Sequence, residues 1–456
     1  MLRGRSLLLL GLLAGCGEDA TMTPSSSSTT PSTTTTTMTT PPQCGDDIPD
    51  DGEVCFQVER KAGGRIPGVL VAGDFNGDGQ RDFYSDRGGL GGEYVILAEE
   101  PHAMTVIHEG RFAGKDNQDH AVYRASARDI DEDGFTDLLT LMQYNYLSGD
   151  TGGWAFGAIV LHTRPGYQFD EELKLFWEYD IGFQEPENRF DGAFGDFDGD
   201  GVPEVVFVPN LHRGYVWYVE PGAAPGELFR LDYHLDFGAF AAQDNIVTVV
   251  VDLDADGRDD LVLVDGLGRV WTHYSDPEGV LVPRTLTDTP VLPPLVGTVL
   301  ARDVDGDGYI DLVGATTRRI MGQLSPGELG IARGDGNGGF TPMAAWTAPE
   351  GPTQTSSPYG PQLCYVHLVL LDLDASGYPA LIYALPGSRT LVVHPQVGRT
   401  LGAEPLEISL DLAPFGIFAD PQDDGTVDLL VSLWDDAKAD DSDDYRPFID
   451  RYRIDP

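Results

Sequence analysis

The sequence predicts an all-β chain folded as a seven-bladed β-propeller, and three observations predict it. A nine-residue acidic pattern recurs seven times, with first residues Asp74, Asp129, Asp196, Asp252, Asp303, Asp372 and Asp420. Short apolar runs of strand-like composition flank the copies, as in Ile246–Val251 before the fourth and Leu261–Val264 after it. The copies lie 48 to 69 residues apart, the length of four short strands and their links.

The pattern itself carries chemistry. Counting from the first Asp, oxygen-bearing side chains stand at positions 1 and 3, and Gly is fixed at position 6; five copies combine Asp at position 5 and an acid at position 9 with Asp or Asn at position 3. A hard cation such as calcium takes six to eight oxygens at about 2.3–2.6 Å, so a short loop that turns alternate carboxylates inward can hold one. The candidate ligands are Asp74, Asn76, Asp78 and Asp82 in loop one and Asp129, Asp131, Asp133 and Asp137 in loop two. Loop three offers Asp196, Asp198, Asp200 and Glu204, and loop four Asp252, Asp254, Asp256 and Asp260. Loop five offers Asp303, Asp305, Asp307 and Asp311, and loop seven Asp420, Asp424 and Asp428. Loop six has Ser376 at position 5 and Ala380 at position 9, so no metal is expected there, and loop seven has Gln422 at position 3. Position 7 varies freely, from Gln80 to Tyr378, as a ligand supplied by the main chain would allow. Position 9 closes the site, ideally with both oxygens. About four to six calcium ions are expected.

Helical loop families do not fit. An EF-hand needs Glu at position 12, where this chain has Ser85, Thr140, Phe207, Leu263, Gly314, Tyr383 and Val431. The loops therefore join strands. Unit five shows four of them, at Gly297–Ala301, Asp311–Ala315, Glu328–Ala332 and Phe340–Ala345, with the turn Gly334-Asp-Gly-Asn-Gly-Gly-Phe340 before the last. The final unit runs out of chain after a third strand near 448–454, and the N-terminal strand near 54–59 can complete it and cover a sheet edge.

These seven D-x-[DN]-x-D-G-x-x-D loops, with the Gly-Asp-Gly-Asn-Gly-Gly-Phe turn, resemble the FG-GAP/VCBS repeat family, known best from the seven-bladed propeller of integrin α-subunits. The resemblance covers roughly residues 54–456 and implies the propeller fold and the calcium loops.

The N-terminus reads differently. Arg3 and Arg5 precede the apolar run Leu7–Leu13, which ends in Leu13-Ala-Gly-Cys16. This is an export signal over residues 1–15, too short to span a bilayer, and its ending resembles a bacterial lipobox that would lipidate Cys16. Gly17 rather than Asp follows, and the resemblance to Gram-negative lipoproteins implies a place at the outer membrane or cell surface. Residues 16–43 are rich in Ser, Thr and Pro and form a tether with little to bury, and residues 44–456 form the propeller. Cys44 and Cys55 are spaced to close a disulfide in an oxidising compartment, and Cys364 reads as a small buried hydrophobe.

A formal charge of −45 argues against a nucleic-acid partner, which wants a basic patch. The expected function is a calcium-stabilised, lipid-anchored binding or adhesion module at the cell surface, a monomer that recognises a protein or polysaccharide. The links away from the calcium loops, 143–155, 179–190 and 349–362, carry Tyr144, Tyr146, Trp154, Arg189 and Tyr359, types enriched at contact surfaces. Each of these can equally be an ordinary solvated loop side chain. The alternative is a carbohydrate-active, polysaccharide lyase-like enzyme on the same scaffold, with His212 and Arg213 beside Arg318 and Arg319 as its nearest cluster. No nucleophile–base motif accompanies that cluster, so no catalytic residue is assigned.

Overall fold

The computed structural model describes residues 55–62, 70–86, 93–100, 103–111, 119–148, 151–179, 191–208, 213–219, 229–236, 246–287, 289–294, 296–316, 319–320, 323–324, 328–347, 367–373, 377–384, 389–394, 396–397, 400–401, 405–411, 413–421, 427–434 and 448–455. Among the described residues all regular elements are strands. The export signal, the tether and Cys16, Cys44 and Cys364 lie outside the described residues.

Loops two to six each join the first and second strands of an antiparallel four-stranded sheet. The loop-two sheet is Asp119–Arg128, Asp137–Ser148, Thr151–Arg164 and Gln168–Tyr179. The loop-three sheet is Asp191–Gly195, Glu204–Val208, Arg213–Val219 and Phe229–Asp236. The loop-four sheet is Val247–Val251, Asp260–Val264, Val270–Ser275 and Leu281–Leu286. The loop-five sheet is Val296–Arg302, Asp311–Thr316, Glu328–Gly334 and Phe340–Thr347, each strand within two residues of its expected bounds. The loop-six sheet is His367–Leu371, Ala380–Ala384, Thr390–His394 and Leu406–Ser409.

The count of sheets corrects one expectation: among the described residues six sheets make the propeller, five of four strands and one of eight, not seven. The loop-one strands (Leu70–Gly73, Asp82–Asp86, Glu93–Glu100, Ala103–Arg111) and the loop-seven strands (Ala413–Pro421, Val427–Trp434, Phe448–Asp455) share a single eight-stranded sheet. The joint is Cys55–Ala62. It pairs antiparallel with Phe448–Asp455, from Cys55 opposite Asp455 to Ala62 opposite Phe448, and its last residue meets Ala103 in one parallel pair. The strand that completes the last set therefore also ties it to the first, and the first and last strands of the described residues are hydrogen-bonded to each other.

Burial on both faces explains the apolar runs. The second strands Glu204–Val208, Asp260–Val264 and Ala380–Ala384 are buried at every residue. Val206 and Val208 pack with Leu261 and Leu263 of the next sheet, Val262 and Val264 with Leu312, and Val313 and Ala315 with Leu381 and Tyr383. Ile382 and Ala384 then pack with Leu429 and Val431, while Leu430 joins Phe83 and Leu138 in the cluster that closes the ring. Along the axis, each set's first strand lies against the first strand of the next. Non-directional apolar contact between sheets thus supplies the cohesion, and the loops at one end are left to polar chemistry.

One sheet departs in length. The second to fourth strands of the loop-two sheet run for 12, 14 and 12 residues, whereas the second strands of the loop-three and loop-four sheets run for 5. The segment 143–155, expected to be a loop, is instead the tip of a hairpin that turns between Ser148 and Thr151. The pattern hid this because its Gly and Asp residues read as turn signals along the whole stretch, while the ladder uses only backbone groups.

Candidate metal centres

Local hydrogen bonds build the loops. In each of loops one to six the Oδ2 of the first Asp accepts the N–H of the position-6 Gly, at 2.7–3.0 Å. In loops one to five the position-5 Asp accepts the position-7 N–H, at 2.7–2.9 Å. Position 6 needs glycine for its backbone, not for room: Gly134, Gly201 and Gly308 sit at φ of 90°, 96° and 91°, and a Cβ there would meet nothing within 4 Å.

Acidic side chains converge as expected in four loops. Donor atoms of Asp129, Asp131 and Asp133, of Asp196, Asp198 and Glu204, of Asp252, Asp254 and Asp260, and of Asp303, Asp305 and Asp311 lie within 4.8 Å of one another in each set. In loop one, Asn76 Nδ2 donates to Asp78 Oδ2 (3.1 Å) and to the Tyr167 hydroxyl (2.8 Å), while its carbonyl Oδ1 accepts the N–H of Asp78 (2.8 Å). Loop seven is different: its strands extend into the loop, so that Asp420 pairs directly with Asp428, whereas in loops one to five the residue before position 1 holds that place. Asp424, Asp374 and Ser376 lie outside the described residues.

Position 9 has a second task that the pattern does not reveal. Asp137 accepts the N–H of Ile130 (3.0 Å) and of Thr163 (2.7 Å), Asp260 those of Leu253 and Ser275, and Asp311 those of Val304 and Gly334. Each carboxylate therefore stitches its own loop to the third strand. Two carboxylates keep an oxygen back: Asp82 Oδ2 and Glu204 Oε1 are buried with no hydrogen-bond partner, on residues only 2% exposed. A buried carboxylate oxygen left unsatisfied is costly, and a cation would satisfy it.

The electrostatics agree. Burial pushes Asp137 and Glu204 up to about 8, Asp260 to about 7 and Asp82 to about 6, and the neighbouring loop carboxylates add to each rise. Asp129, Asp196, Asp198 and Asp311 are raised by the same causes. Sites that strain to hold protons when empty are sites that a divalent cation relieves. The donor sets of loops one, three and four are oxygen alone, which suits calcium.

Position 7 turns out to be constrained. A Cβ on Gly77 would lie 2.9 Å from the Phe135 ring, one on Gly199 2.9 Å from Arg258, and one on Gly306 1.9 Å from Tyr378. The position-4 glycine of loops one, three and five thus packs beneath the position-7 side chain of the loop that follows. Loops two and four carry Glu132 and Ala255 at position 4, in the same left-handed region at φ of 58° and 59°. Replacing Ala255 by Gly is expected to stabilise the fold by about 1 kcal/mol, because the left-handed penalty of an L residue disappears. Gly306→Ala is expected to cost more than that penalty, since Tyr378 must also move. Thermal melts of the two single variants check both signs.

Two residues near the loops escaped the sequence reading. Arg333 reaches Asp305 Oδ2 (2.9 Å) and Asp307 Oδ2 (2.7 Å), and His162 Nε2 reaches Asp131 Oδ2 (3.0 Å). Each follows, on the third strand, the residue opposite position 10, so strand register would have found them once the third strands were aligned. Arg333→Ala is expected to tighten calcium at loop five by removing a competing cation, as calorimetric titration would show.

Other predicted residues are placed only by backbone. Tyr144 pairs with Ala155, Tyr146 with Gly153 and Trp154 with Asn145, all near the hairpin tip and remote from Asp137. Arg213 opens a strand and Arg319 lies in a two-stranded ribbon. Arg189, Tyr359, His212 and Arg318 lie outside the described residues, as does Cys44; Cys55 opens the strand that joins the two ends.

An all-β propeller with acidic loops between first and second strands is the class that fold and site define. Residues 252–314, which contain loops four and five, match the profile of the FG-GAP-like repeat, and this stretch lies within an all-β propeller. No curated protein matches it in sequence. Solved structures similar to it include a protein from Bacteroides fragilis NCTC 9343 provisionally assigned as a 6-phosphogluconolactonase, with 13% identity, TM-score 0.49, 81% of this chain and 99% of that one covered. BBS1N in complex with ARL6DN gives 11% identity, TM-score 0.48 and coverage of 86% and 93%. The BP39L lectin from Burkholderia pseudomallei gives 15% identity, TM-score 0.43 and coverage of 80% and 95%.

Proposed function

We propose that this protein is a calcium-stabilised binding module, exported and held at the outer membrane or cell surface by a lipid on Cys16, which recognises a protein or polysaccharide ligand. The observation that carries the reading is the hairpin of the loop-two sheet. Its second and third strands, Asp137–Ser148 and Thr151–Arg164, continue well past the length of their counterparts and bring Tyr144, Tyr146 and Trp154 to the end remote from the acidic loops. One end of the molecule is then given to ions and the other to contact. An aromatic-bearing projection on a rigid ring suits recognition, because the scaffold holds its strands with little entropy left to lose on binding. FG-GAP repeats commonly bind calcium, and the acidic clusters of loops three to five supply oxygen donors for it.

The test is a glycan and protein array probed with the native chain and with a Tyr144→Ala, Trp154→Ala, Tyr359→Ala triple variant. Binding is expected to fall by at least a factor of 100 in the variant, the scale of a few contact hot spots, while its melting temperature stays within a few degrees of the native value. Undiminished binding by a folded variant sinks this reading. Polysaccharide turnover that a His212→Ala variant loses would put the enzyme alternative in its place.

A further inference from the structure

We propose that loop two is a different kind of centre from its neighbours: it holds a divalent transition ion of the zinc class through His162, Asp131 and Asp137. The inference rests on the same reading of the loops as ion sites, but adds His162, a residue outside their repeated pattern. Place on the third strand sets this loop apart. Leu161 pairs with Leu138, so His162 comes next to Asp137; the corresponding place is Ala98 opposite Asp82, Tyr274 next to Asp260 and Arg333 next to Asp311. A methyl group, a phenol and a guanidinium offer no nitrogen lone pair. An imidazole does.

The geometry matches the chemistry. His162 Nε2 lies 3.0 Å from Asp131 Oδ2 and 3.7 Å from Asp133 Oδ2, and the donor atoms of His162, Asp131 and Asp137 all lie within 4.8 Å of one another. These side chains are buried: His162 is 3% exposed, Asp131 9% and Asp137 0%. Independently of the loop pattern, Asp131 Oδ1 is buried with no hydrogen-bond partner, although its other oxygen meets His162. That oxygen is the third donor such a centre requires and the group whose burial is otherwise unexplained. Calcium prefers oxygen alone, whereas an imidazole with carboxylates suits zinc, at bonds of about 2.0–2.2 Å. Among the described residues this is the one candidate cluster that contains a nitrogen donor.

The experiment uses the full chain in excess calcium. Equilibrium dialysis with zinc, read by elemental analysis, is expected to retain one zinc per chain. Cobalt is expected to give a visible absorption band that zinc displaces and calcium does not. His162→Gln should lower zinc affinity at least tenfold and leave the calcium count unchanged. No retained zinc, or equal retention by a folded His162→Gln variant, overturns the proposal. Should that variant fail to fold, zinc-edge X-ray absorption of the native chain decides: imidazole in the zinc shell supports the centre and an all-oxygen shell overturns it. The calcium count of the native chain is read separately. Calcium without zinc refutes this proposal alone, and His162-dependent zinc without calcium refutes the calcium reading alone.

Discussion

Removing calcium is expected to lower the melting temperature of this propeller by on the order of 10 °C or more, and adding it back to restore the loss. The argument starts from charge. Donor atoms of Asp196, Asp198 and Glu204 lie within 4.8 Å of one another, as do those of loops four and five. Two unit charges that far apart repel by roughly 3–4 kcal/mol at an effective dielectric constant near 20, against a typical domain stability of about 5–15 kcal/mol. An ion that binds only the folded form adds about 4 kcal/mol per site at a thousand times its dissociation constant. Several loops respond together, and neighbours are in contact through Gly77 with Phe135, Gly199 with Arg258 and Gly306 with Tyr378, so loosening should spread from sheet to sheet. Asp305→Ala should cost far more than Asp374→Ala, because it empties a ligand position and leaves Arg333 without one of its partners. A melt that chelator leaves unchanged would mean that the loops are turns and nothing more.

What the sequence disclosed and what it concealed divide along a physical line. Local chemistry was readable: Gly at position 6 marks a left-handed backbone, Asp at positions 1 and 5 accepts amides within the loop, and the buried second strands read as continuous apolar runs. Contacts made across sheets were not. The amides of Thr163, Ser275 and Gly334 that occupy position 9 come from the third strand, 26, 15 and 23 residues further on. His162 and Arg333 reach their loops from the same strand, so only the register reveals them. Position 7 looked free because its side chains differ. In fact Phe135, Arg258 and Tyr378 each cover a glycine in the preceding loop, a pairing of small with large that was present in the sequence as an alternation at position 4. The number of sheets was hidden for a similar reason, since a single parallel pair between Ala62 and Ala103 merges the first set with the last.

Acidity is expected to stabilise the chelated protein and destabilise the calcium-loaded one, and the opposed signs distinguish empty carboxylate sites from ordinary buried acids. In the folded chain without metal, Asp137 and Glu204 stand at about 8 and Asp260 at about 7, well above unfolded values near 4. A raised carboxyl contributes stability that is complete below its unfolded pKa and lost as pH rises through the folded one. Between pH 6.5 and 8 the chelated protein should therefore gain on the order of 1 kcal/mol per such carboxyl for each unit of acidification; Asp82, raised only to about 6, adds less. His273 opposes this trend below pH 6.5. Burial holds it down at about 4, so its contribution is present above pH 6.5 and lost as the pH falls towards 4. One such group offsets about one of the raised carboxyls and leaves the sign of the slope unchanged. Calcium reverses the slope, because it needs the same carboxylates ionised and every proton taken up competes with the ion. Thermal melts at pH 8, 7.25 and 6.5, with calcium and with a chelator effective across that range, measure both slopes. Parallel slopes would show that the loop carboxylates titrate without reference to an ion, and that their burial serves the strands alone.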